Sequence, residues 1–501
     1  MSQEIELKLS LPRKALPALR RHPLFAGASK QGNAVTLENT YYDSPELALK
    51  ARKVGVRTRR QGRLWLQTVK CAAESTGGLT QRPEWEQPYH GAFDFGAVDA
   101  PRVRKLLVRH QAGLVPVFTT RFRRETRLYA PSEAVRILMM MDTGEVRAGE
   151  QSEPICELEL ELAQGEPLDL LLLACELAAS VPLLPNDISK AERGYRLHLG
   201  EAPAPQRAGP SRIDAGQDPV EAFRTLAADC LRQWQANAIG ASGSTDPEFI
   251  HQLRVALRRL RSLLQLFAPA LSGEFVADWE ERLRHNAERF GDARDLDVLC
   301  DEIVAPVEAA NTGHDSDMAR LAEHLRAARD AARTTALHSL DPAAQGRLLI
   351  GFTAALYALP QANPPDGADL RAFARHQLDR LRKKVRRRHA AAAELVPARL
   401  HALRIALKRL RYGVEFFAPL MPAKDGARYL EDVTRAQNAL GFVNDVDVAR
   451  ARLTTWAGDE PDLRAAAAYV CGWHGPRYAR LSRRALRDLD PLLWGKTPWR
   501  R

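Results

Sequence analysis

The sequence opens with Glu4-Ile5-Glu6-Leu7-Lys8-Leu9, a segment in which charged and apolar residues alternate strictly. Alternation with a period of two predicts a β-strand with the charged side chains on one face and the apolar side chains on the other. By itself, the pattern also fits an ordinary amphipathic strand whose charges lie in solvent. The chain repeats it, however, in Cys156-Glu157-Leu158-Glu159-Leu160-Glu161-Leu162, where three carboxylates share one face.

Carboxylates concentrated on one face of two strands indicate a positively charged partner. Like charges two residues apart on a strand repel, and glutamate has a low strand propensity, so the pattern is locally unfavourable. Carboxylate oxygens are ligands that hard divalent cations prefer. The two segments therefore favour a carboxylate cluster that binds a divalent cation.

The alternation continues over about the first two hundred residues and predicts roughly eight strands. Val54-Gly55-Val56-Arg57-Thr58-Arg59, for example, places two arginines on one face, whereas other segments place glutamate there. In an antiparallel barrel, interior and exterior positions alternate along every strand, and about eight strands enclose space for one small ligand. We therefore expect a closed barrel whose polar lumen, with charges of both signs, holds a polyanion and its metals.

The ordered series of charged motifs resembles that of the CYTH family, the triphosphate tunnel metalloenzymes. The similarity covers about residues 1–200 and implies an eight-stranded antiparallel tunnel that binds triphosphate groups with Mg²⁺ or Mn²⁺. The motifs that carry it, in chain order, are Glu4-x-Glu6-x-Lys8, Arg57 and Arg59, Lys70, Arg82-Pro83-Glu84-Trp85-Glu86, Arg121 and Arg123, Asp142, Glu157-x-Glu159-x-Glu161 and Ser189-Lys190-x-x-Arg193-Gly194-Tyr195.

The resemblance and the chemistry of phosphate assign the same roles to these residues. Phosphoryl transfer depends mainly on positioning and charge stabilisation, and arginine binds phosphate bidentately whereas lysine acts as a point charge. The expected substrate ligands are Lys8, Arg57, Arg59, Lys70, Arg82, Arg121, Arg123, Lys190 and Arg193. The expected metal ligands are Glu4, Glu6, Glu157, Glu159 and Glu161. The expected catalytic residues are Lys8, Glu4, Glu6 and Asp142, the last assisting the metals or the attacking water.

The second half of the chain has a different organisation. Residues 201–217 are rich in proline, alanine and glycine and predict a linker, and the apolar spacing of three to four in 218–501 predicts helices throughout. The segment 251–261 recurs at 401–411, and 291–298 recurs at 441–448, each 150 residues later. A constant offset indicates a duplicated helical unit, with repeats at about 218–355 and 368–501.

Each copy of the repeat places basic residues on one helix face. Positions i, i+3, i+7 and i+10 share a face, and like charges there repel. A third basic run, 380–389, adds to them, and anion binding accounts for this repulsion better than a solvated face does. The pattern resembles the CHAD domain, which implies binding of inorganic polyphosphate. The residues expected to bind it are His251, Arg254, Arg258, Arg261, His401, Arg404, Lys408, Arg411, Lys384 and Arg387.

Two further interpretations concern residues beside this face. A metal site formed by the two histidines would need more ligands, and no carboxylate or cysteine lies at ligand spacing next to them. Paired aspartates follow each basic helix, and we expect them to cap helices or to neutralise the basic residues rather than to bind metal. These are Asp295 and Asp297 in the first copy and Asp445 and Asp447 in the second.

Composition agrees with an anionic partner. A chain of 501 residues is long enough for two or three domains, and its net charge of +11 suits phosphate-rich ligands. Six cysteines without a CxxC pair argue against a disulfide framework and a zinc ribbon. The sequence has no apolar run of membrane-spanning length and no leader before the first strand, so we expect a cytoplasmic protein without a membrane partner. Association with polyphosphate granules is compatible with this location.

The expected fold is therefore α+β and multidomain: an N-terminal eight-stranded antiparallel barrel with flanking helices, at 1–200, and an all-α C-terminal part. The expected function is metal-dependent hydrolysis of inorganic triphosphate in the tunnel, with polyphosphate bound by the helices. Thiamine triphosphate, a nucleoside triphosphate or cyclisation of ATP are alternatives for the same tunnel, and a non-catalytic polyphosphate-binding protein is a third. No nucleic-acid-binding motif is recognisable, which argues against nucleic acid.

Overall fold

A computed structural model describes residues 2–71, 75–311, 316–360, 369–458 and 460–500. The chain folds as two compact units. The first consists of Met1–Gln206, Gln235–Gly240 and Leu340–Leu359, and the second of Arg207–Trp234, Ala241–Ser339 and Pro360–Arg501. One helix from the second half of the sequence thus belongs to the first unit.

Eight long strands of the first unit form a closed antiparallel barrel. Their order is β1-β10-β9-β8-β3-β4-β5-β7, and β7 pairs back with β1. Three strands of two residues pair at its edges. The expected fold class is confirmed. The strands are β1 (Ser2–Ser10), β2 (Ser29–Lys30), β3 (Val35–Asp43), β4 (Val54–Gln61), β5 (Leu64–Cys71), β6 (Ser75–Thr76), β7 (Leu79–Pro88), β8 (Val115–Tyr129), β9 (Arg136–Ala148), β10 (Gln151–Gln164) and β11 (Leu184–Pro185).

Helices cover the outside of the barrel and one enters it. The helices between the strands are α1 (Leu16–Arg21), α2 (Pro23–Ala26), α3 (Ala48–Ala51), α4 (Pro101–His110), α5 (Pro167–Ala178) and α6 (Lys190–Leu199). Leu7 and Leu9 of β1 and Leu158 and Leu160 of β10 point outward and form one buried core with α5. The charged residues between them consequently face the lumen, as the alternation predicts.

Most of the remaining helices are long, and they follow the period of three to four. They are α7 (Pro219–Ser242), α8 (Pro247–Phe267), α9 (Gly273–Glu288), α10 (Gly291–Val298), α11 (Ala305–Ala310), α12 (Ser316–His338), α13 (Pro342–Ala358), α14 (Leu370–Ala391), α15 (Pro397–Phe416), α16 (Ala423–Ala457) and α17 (Pro461–Trp494). A π-helix, Leu299–Val304, links α10 and α11. Helix α13 is the one that packs on α5 in the first unit.

The two copies of the repeat are alike at the basic helix and differ after it. Helix α8 corresponds to α15, and the two pack against each other. In the first copy the following segment is broken into α9 and α10 at Phe290, whereas in the second it is the continuous helix α16. None of the helices in the part of the chain that the structure describes has both the length and the apolar composition of a membrane span.

Candidate functional site

The barrel encloses a cavity of about 920 Å³. Among the described residues, eight lysine and arginine and seven glutamate side chains line it. The strands supply most of them because every second residue faces inward, and α6 supplies Lys190 and Glu192 from inside the barrel. The cavity is therefore highly charged with little net charge.

Many of the residues expected at the site lie around this cavity. The expected substrate ligands that line it are Lys8, Arg57, Arg59, Lys70 and Lys190, and the expected metal ligands are Glu4, Glu6, Glu159 and Glu161. Thr68 and Lys70 both point into the cavity from the end of β5. The pairing of β4 with β5 is regular there and contains no bulge. The side chain of Arg82 lies outside the described residues.

Strand β8 differs from the expected placement. Arg121 and Arg123 point outward; the side chain of Arg121 is 71% exposed and pairs with Glu38 at 3.2 Å. The inward positions are Phe118 and Phe122, because α6 inserts Tyr195 against Phe118 and this end of the lumen is apolar. Arg124 continues that inward parity and is the arginine that β8 contributes to the cavity.

Three carboxylates form a buried cluster at one side of the cavity. Asp142, Glu157 and Glu159 have carboxylate oxygens within 4.8 Å of one another. Strand register explains this, because Glu157 on β10 lies opposite Asp142 on β9, and Arg124 on β8 lies opposite Asp142 on its other side. Asp142 is fully buried and does not line the cavity. Its expected role beside the attacking water therefore has no support in its position.

Three basic side chains neutralise this cluster: Arg124, Lys190 and Arg193, the last at 3.7 Å from Glu157. Arg124 donates to both oxygens of Asp142 at 2.8 and 2.7 Å and also binds Glu159. Lys190 Nζ lies 2.8 Å from Asp142 and 2.9 Å from Glu159, and it contacts Glu157. Burial lowers the pKa of Lys190, but the surrounding carboxylates outweigh burial and raise this pKa above its usual range. Burial raises the pKa of Glu159, but Lys190 and Arg124 outweigh burial and hold this pKa well below its usual range.

A second group of carboxylates keeps excess negative charge. Glu6 lies directly opposite Glu161 in the pairing of β1 with β10. Burial and the neighbouring charges of Glu4 and Glu6 raise the pKa of Glu161 to about 7. Lys70 binds Glu4 at 2.9 Å but does not remove this effect. Because Glu4 and Glu6 add to the effect of burial on Glu161, these three carboxylates concentrate negative potential and fit a divalent cation better than the neutralised cluster does.

Opposite these acids lies a row of basic residues, each with a carboxylate partner. Lys70 lies 2.8 Å from Glu84, Arg57 lies 3.8 Å from Glu84, and Arg59 lies 3.6 Å from Glu86. Burial, with Arg57 next to it, lowers the pKa of Arg59 to about 10, so Arg59 stays charged at neutral pH. Neither glutamate was expected as a ligand from the sequence, in which Arg82 and Glu84 equally fit a structural ion pair.

Arg193 has a structural position. It donates to Glu153 at 2.7 Å and to the carbonyl of Pro154 at 2.5 Å, and it does not line the cavity. It thus fixes α6 to β10. Lys50 and Lys53, at the end of α3, do line the cavity. Sequence reasoning missed both because they belong to a connecting segment without period-two alternation.

In the second unit, basic residues of both repeats meet between α8 and α15. Buried Nε atoms of Arg254, Arg404 and Arg411 have no hydrogen-bond partner. Burial and then Arg258, Arg404 and Arg411 lower the pKa of Lys408 to about 6. Within the described residues, the side chains of Arg254, Arg258, Arg404 and Lys408 make no ion pair, unlike those of most basic residues in the tunnel. We name these four residues and Arg411 the inter-repeat cluster.

The other residues of the expected polyphosphate face are placed differently. Burial, then Arg294, lowers the pKa of His251 to about 4, so it is neutral at pH 7, and His401 contacts Asn444. Arg261 pairs with Glu280 at 2.7 Å. Lys384 and Arg387 line a separate groove. Among the described residues, neither histidine belongs to a group of three metal-ligating side chains.

The paired aspartates lie beside basic residues. Asp297 pairs with Arg333 at 2.7 Å and Asp295 with Arg452 at 3.4 Å. Burial lowers the pKa of Arg404, and the neighbouring charge of Asp445 opposes this effect in part. Asp295 also favours the charged form of Arg254, so Asp295 and Asp445 agree with the expected neutralisation of the basic helices, whereas Arg333 and Arg452 lie outside those helices.

Fold and site define a protein with a charge-lined antiparallel β tunnel and a separate duplicated helical unit with a basic cluster. Residues 2–195 match the family model of the CYTH domain, and residues 225–454 match that of the CHAD domain. The first part of the chain is therefore similar to CYTH domains and the second to CHAD domains, as the motifs predict.

Two known proteins are similar to one part of the chain each. An inorganic triphosphatase from Haemophilus influenzae is 32% identical over 201 residues, which are 39% of this chain and 55% of that protein. The chain thus matches about half the length of this relative. The crystal structure of the CHAD domain from the plant Ricinus communis has 28% identity and a TM-score of 0.50, and the match covers 57% of this chain and 96% of that one.

Proposed function

We propose that the tunnel hydrolyses inorganic triphosphate to pyrophosphate and phosphate with a divalent metal, and that the helical unit binds inorganic polyphosphate. The observation that carries the first part is the cavity, where a row of basic side chains faces carboxylates with excess negative charge. A metal–triphosphate complex presents the complementary pattern. The similarity to the Haemophilus triphosphatase supports the same reaction.

In this proposal the basic row binds the phosphate oxygens. Arg57 and Arg59 present planar guanidinium groups suited to bidentate contacts, and Lys70 adds a point charge. Their present partners, Glu84 and Glu86, keep these side chains in position before substrate arrives. Binding then exchanges a carboxylate partner for a phosphate partner, so no basic group has to be ordered during the reaction.

Glu4, Glu6 and Glu161 would hold the metal. Bound Mg²⁺ or Mn²⁺ supplies neutralisation of the phosphate oxygens and activation of a water nucleophile. Ionisation of Glu161 is needed for it to act as a ligand, and a nearby cation favours the ionised form. Lys8, 4.0 Å from Glu6, lies between this group and the buried cluster and would contact a phosphate oxygen.

Lys190 and Arg124 would bind phosphate where the cavity borders the buried carboxylate cluster. Both line it, and Asp142 holds both in place. Asp142 is then a positioning residue rather than a catalytic one. The same reasoning leaves Arg121, Arg123 and Arg193 outside the substrate site, since none of them lines the cavity.

The test is phosphate release by the full chain with Mg²⁺ or Mn²⁺ from triphosphate, thiamine triphosphate, ATP and long-chain polyphosphate. We expect triphosphate to be preferred and activity to be lost when Glu4→Ala and Glu6→Ala are combined. The exposed residue Glu133, between β8 and β9, provides the matched control, and Glu133→Ala should retain activity. Hydrolysis that survives the double substitution would place the reaction elsewhere.

An organic triphosphate is the second candidate substrate. Three aromatic side chains, Tyr41, Phe122 and Tyr195, line the cavity, and its 920 Å³ exceed what a bare triphosphate fills. Rings of this kind can stack on a nucleobase or a thiamine ring. Preferred hydrolysis of ATP or thiamine triphosphate in the same assay would favour this candidate.

The inter-repeat cluster carries the second part of the proposal. Within the described residues, Arg254, Arg258, Arg404 and Lys408 make no ion pair, whereas Arg411 pairs with Glu415 at 2.6 Å. A polyanion would relieve the repulsion among these half-buried cations and offer acceptors to the Nε groups. Substituting Arg254→Ala and Arg404→Ala together should abolish tight binding of polyphosphate, measured by calorimetry. Arg282, an exposed arginine paired with Asp278, is the control, because Arg282→Ala removes the same charge elsewhere.

A further inference from the structure

Two neighbouring segments of the tunnel unit hold the backbone of Lys8. Pairing of β1 with β7 ends at Leu7, and pairing of β1 with β11 begins at Leu9, so Lys8 lies between the two ladders. There the N–H of Lys8 donates to the carbonyl of Gly78 at 2.9 Å, and its carbonyl accepts from the N–H of Asn186 at 3.0 Å. These two hydrogen bonds fix the point of β1 from which the Lys8 side chain enters the cavity.

The two segments are also bound to each other. Gly78 belongs to the two-residue turn Gly77-Gly78 between β6 and β7, and Asn186 directly follows β11. The N–H of Gly78 donates to the carboxylate of Asp187 at 2.8 Å, and the hydroxyl of Ser75 contacts the same carboxylate. The turn and the segment after β11 thus form one connected support for β1.

Helix α13 contacts both parts of this support through one face. Gly346 and Thr353 lie about two helical turns apart and therefore share a face of α13. A methyl group on Gly346 would overlap the carbonyl oxygen of Leu183, directly before β11. A methyl group on Gly77 would overlap the fully buried side chain of Thr353. Neither contact has space for one more carbon atom, so a shift of α13 displaces the support.

The same helix contributes to the apolar core behind β1. Ile350 and Ala354 of α13 belong to the buried core that contains Leu7 and Leu9, the neighbours of Lys8 in β1. In the sequence, α13 lies between α12 and α14, which belong to the second unit, and inside the stretch that matches the CHAD domain. A helix from that stretch is therefore part of the structure that surrounds Lys8.

We infer that α13 is a positioning element of the tunnel, whose contacts through Gly346 and Thr353 set the place at which Lys8 meets triphosphate. The inference rests on the proposed function, in which Lys8 contacts a phosphate oxygen. Neither Gly346 nor Thr353 lines the cavity, so both act through Lys8. Such an effect can be large, because misplacing a binding group by about 1 Å can reduce a rate by about 100-fold.

The test combines activity with hydrogen exchange in the full chain. Gly346→Ala should lower kcat/KM for triphosphate about tenfold, because the added methyl group displaces the support of Lys8. It should also speed exchange of the Lys8 amide, whose hydrogen bond to Gly78 is weakened. Gly113→Ala is the matched control, since a methyl group there meets no atom within 4 Å. It should change neither quantity.

Thr353 provides a second, milder variant. Thr353→Ala loosens the contact with Gly77 and should change kcat/KM and the exchange of the Lys8 amide in the same direction as Gly346→Ala. The hydroxyl of Thr353 donates to the carbonyl of Leu349 in its own helix at 2.8 Å. Thr353→Val keeps the shape that faces Gly77 and should therefore retain the values of the unmodified chain. If Gly346→Ala does not fold, Thr353→Ala takes its place in each comparison.

A double-mutant cycle with Lys8 distinguishes positioning from a general loss of stability. In a chain with Lys8→Met, Gly346→Ala should lower kcat/KM little further, because residues that act through one group are not additive. An equal reduction by Gly346→Ala with and without Lys8→Met, or unchanged exchange of the Lys8 amide, overturns the inference and leaves triphosphate hydrolysis intact. A chain that hydrolyses no triphosphate overturns the proposed function instead, and faster exchange at Lys8 in Gly346→Ala would still assign the position of Lys8 to α13.

Discussion

The tunnel and the inter-repeat cluster use the same side chains for phosphate in opposite electrostatic settings. Among the described residues of the tunnel, eight lysine and arginine side chains face seven glutamates, and the buried bases Lys190 and Arg124 are paired with carboxylates. In the cluster, Arg254, Arg404 and Lys408 are partly buried among other cations, and their pKa values are lowered. In the tunnel most charges are paired before a ligand binds, whereas in the cluster the fold brings like charges together.

This difference follows from the secondary structure that builds each site. Neighbouring antiparallel strands place residues of opposite sign directly across from each other, as β8 and β9 do with Arg124 and Asp142. Two packed copies of one basic helix instead bring the same sign together. A tunnel with fixed ion pairs suits precise positioning for a reaction, and a cluster under repulsion suits binding of a variable polyanion.

The largest expected effect is a loss of stability when a paired base of the tunnel is removed. Lys190→Met leaves Asp142, Glu157 and Glu159 buried with less compensation, so the free energy of unfolding should fall by about 3–5 kcal/mol. Chemical denaturation measures this. Adding Glu159→Gln to Lys190→Met should recover part of the loss, because one buried charge is removed. Equal denaturation midpoints for Lys190→Met and the unmodified chain would contradict neutralisation by Lys190.

The next effect is a pH dependence of polyphosphate binding at the inter-repeat cluster. Below pH 6 Lys408 is charged with or without a ligand, whereas above pH 6 the free form is neutral and must take up a proton when a polyanion binds. Affinity for polyphosphate should therefore fall as pH rises above 6, by about tenfold per unit until the pKa of the bound form is reached.

Calorimetry at several pH values measures this fall. Arg258, Arg404 and Arg411 lower the pKa of Lys408, and Asp445 raises it. Lys408→Arg should flatten the profile above pH 6, because arginine stays charged there. A profile that is equally steep in this variant would assign the proton uptake to another group.

A smaller effect should appear at Glu161, one of the proposed metal ligands of the tunnel. The folded-state pKa of Glu161, about 7, exceeds its ordinary value of 4.5, so this carboxyl lowers stability progressively between pH 4.5 and 7 and by a constant amount above. Without metal, Glu161→Gln should therefore raise the melting temperature by a few degrees at pH 8 and by much less at pH 5.

Metal addition gives the control for Glu161. Mg²⁺ at pH 8 should stabilise the unmodified chain more than the Glu161→Gln variant and so narrow the gap in melting temperature. If Mg²⁺ shifted both proteins equally, Glu161 would not be a metal ligand. The exposed residue Glu133 serves as reference, since Glu133→Gln should show no such pH dependence.

The smallest effect tests the stored repulsion directly. Methionine has nearly the helix propensity of arginine, so Arg404→Met removes a like charge with little other change. The free energy of unfolding should rise by about 0.5 kcal/mol. Arg254→Met in the other copy should act alike, whereas Arg282→Met breaks a favourable pair and should not stabilise. A loss of stability in both cluster variants would show that these arginines have partners.

Sequence reasoning succeeded where a short period determines the direction of a side chain. Glu4, Glu6 and Lys8 line the cavity because alternate residues of a strand face alternate sides. It failed on β8, where two arginines at alternate positions looked like a lumen pair. The inward positions there hold Phe118 and Phe122, which pack with an aromatic residue of α6, and nothing near Arg121 in sequence shows that a helix enters the barrel.

The basic helices show the same limit. The recurrence of one motif 150 residues later predicts that two similar helices exist, and it marks Arg254 and Arg404 as equivalent. It does not show that Lys384 and Arg387 lie in another groove, or that Arg261 has an acidic partner. Those facts depend on which helices pack together, and residues far apart in the chain supply the partners.

By itself, the sequence determined the tunnel, its inward-facing acidic strand and the duplicated helices, because a period of two, a period near 3.6 and a motif that recurs after 150 residues are all visible in the order of the residues. Only the tertiary structure decided which charges are paired. Asp142 and Glu159 are neutralised by Arg124 and Lys190, which strand register and the inserted helix α6 bring to them. The effect of a charge depends on its neighbours and burial, and both arise only when the chain has folded.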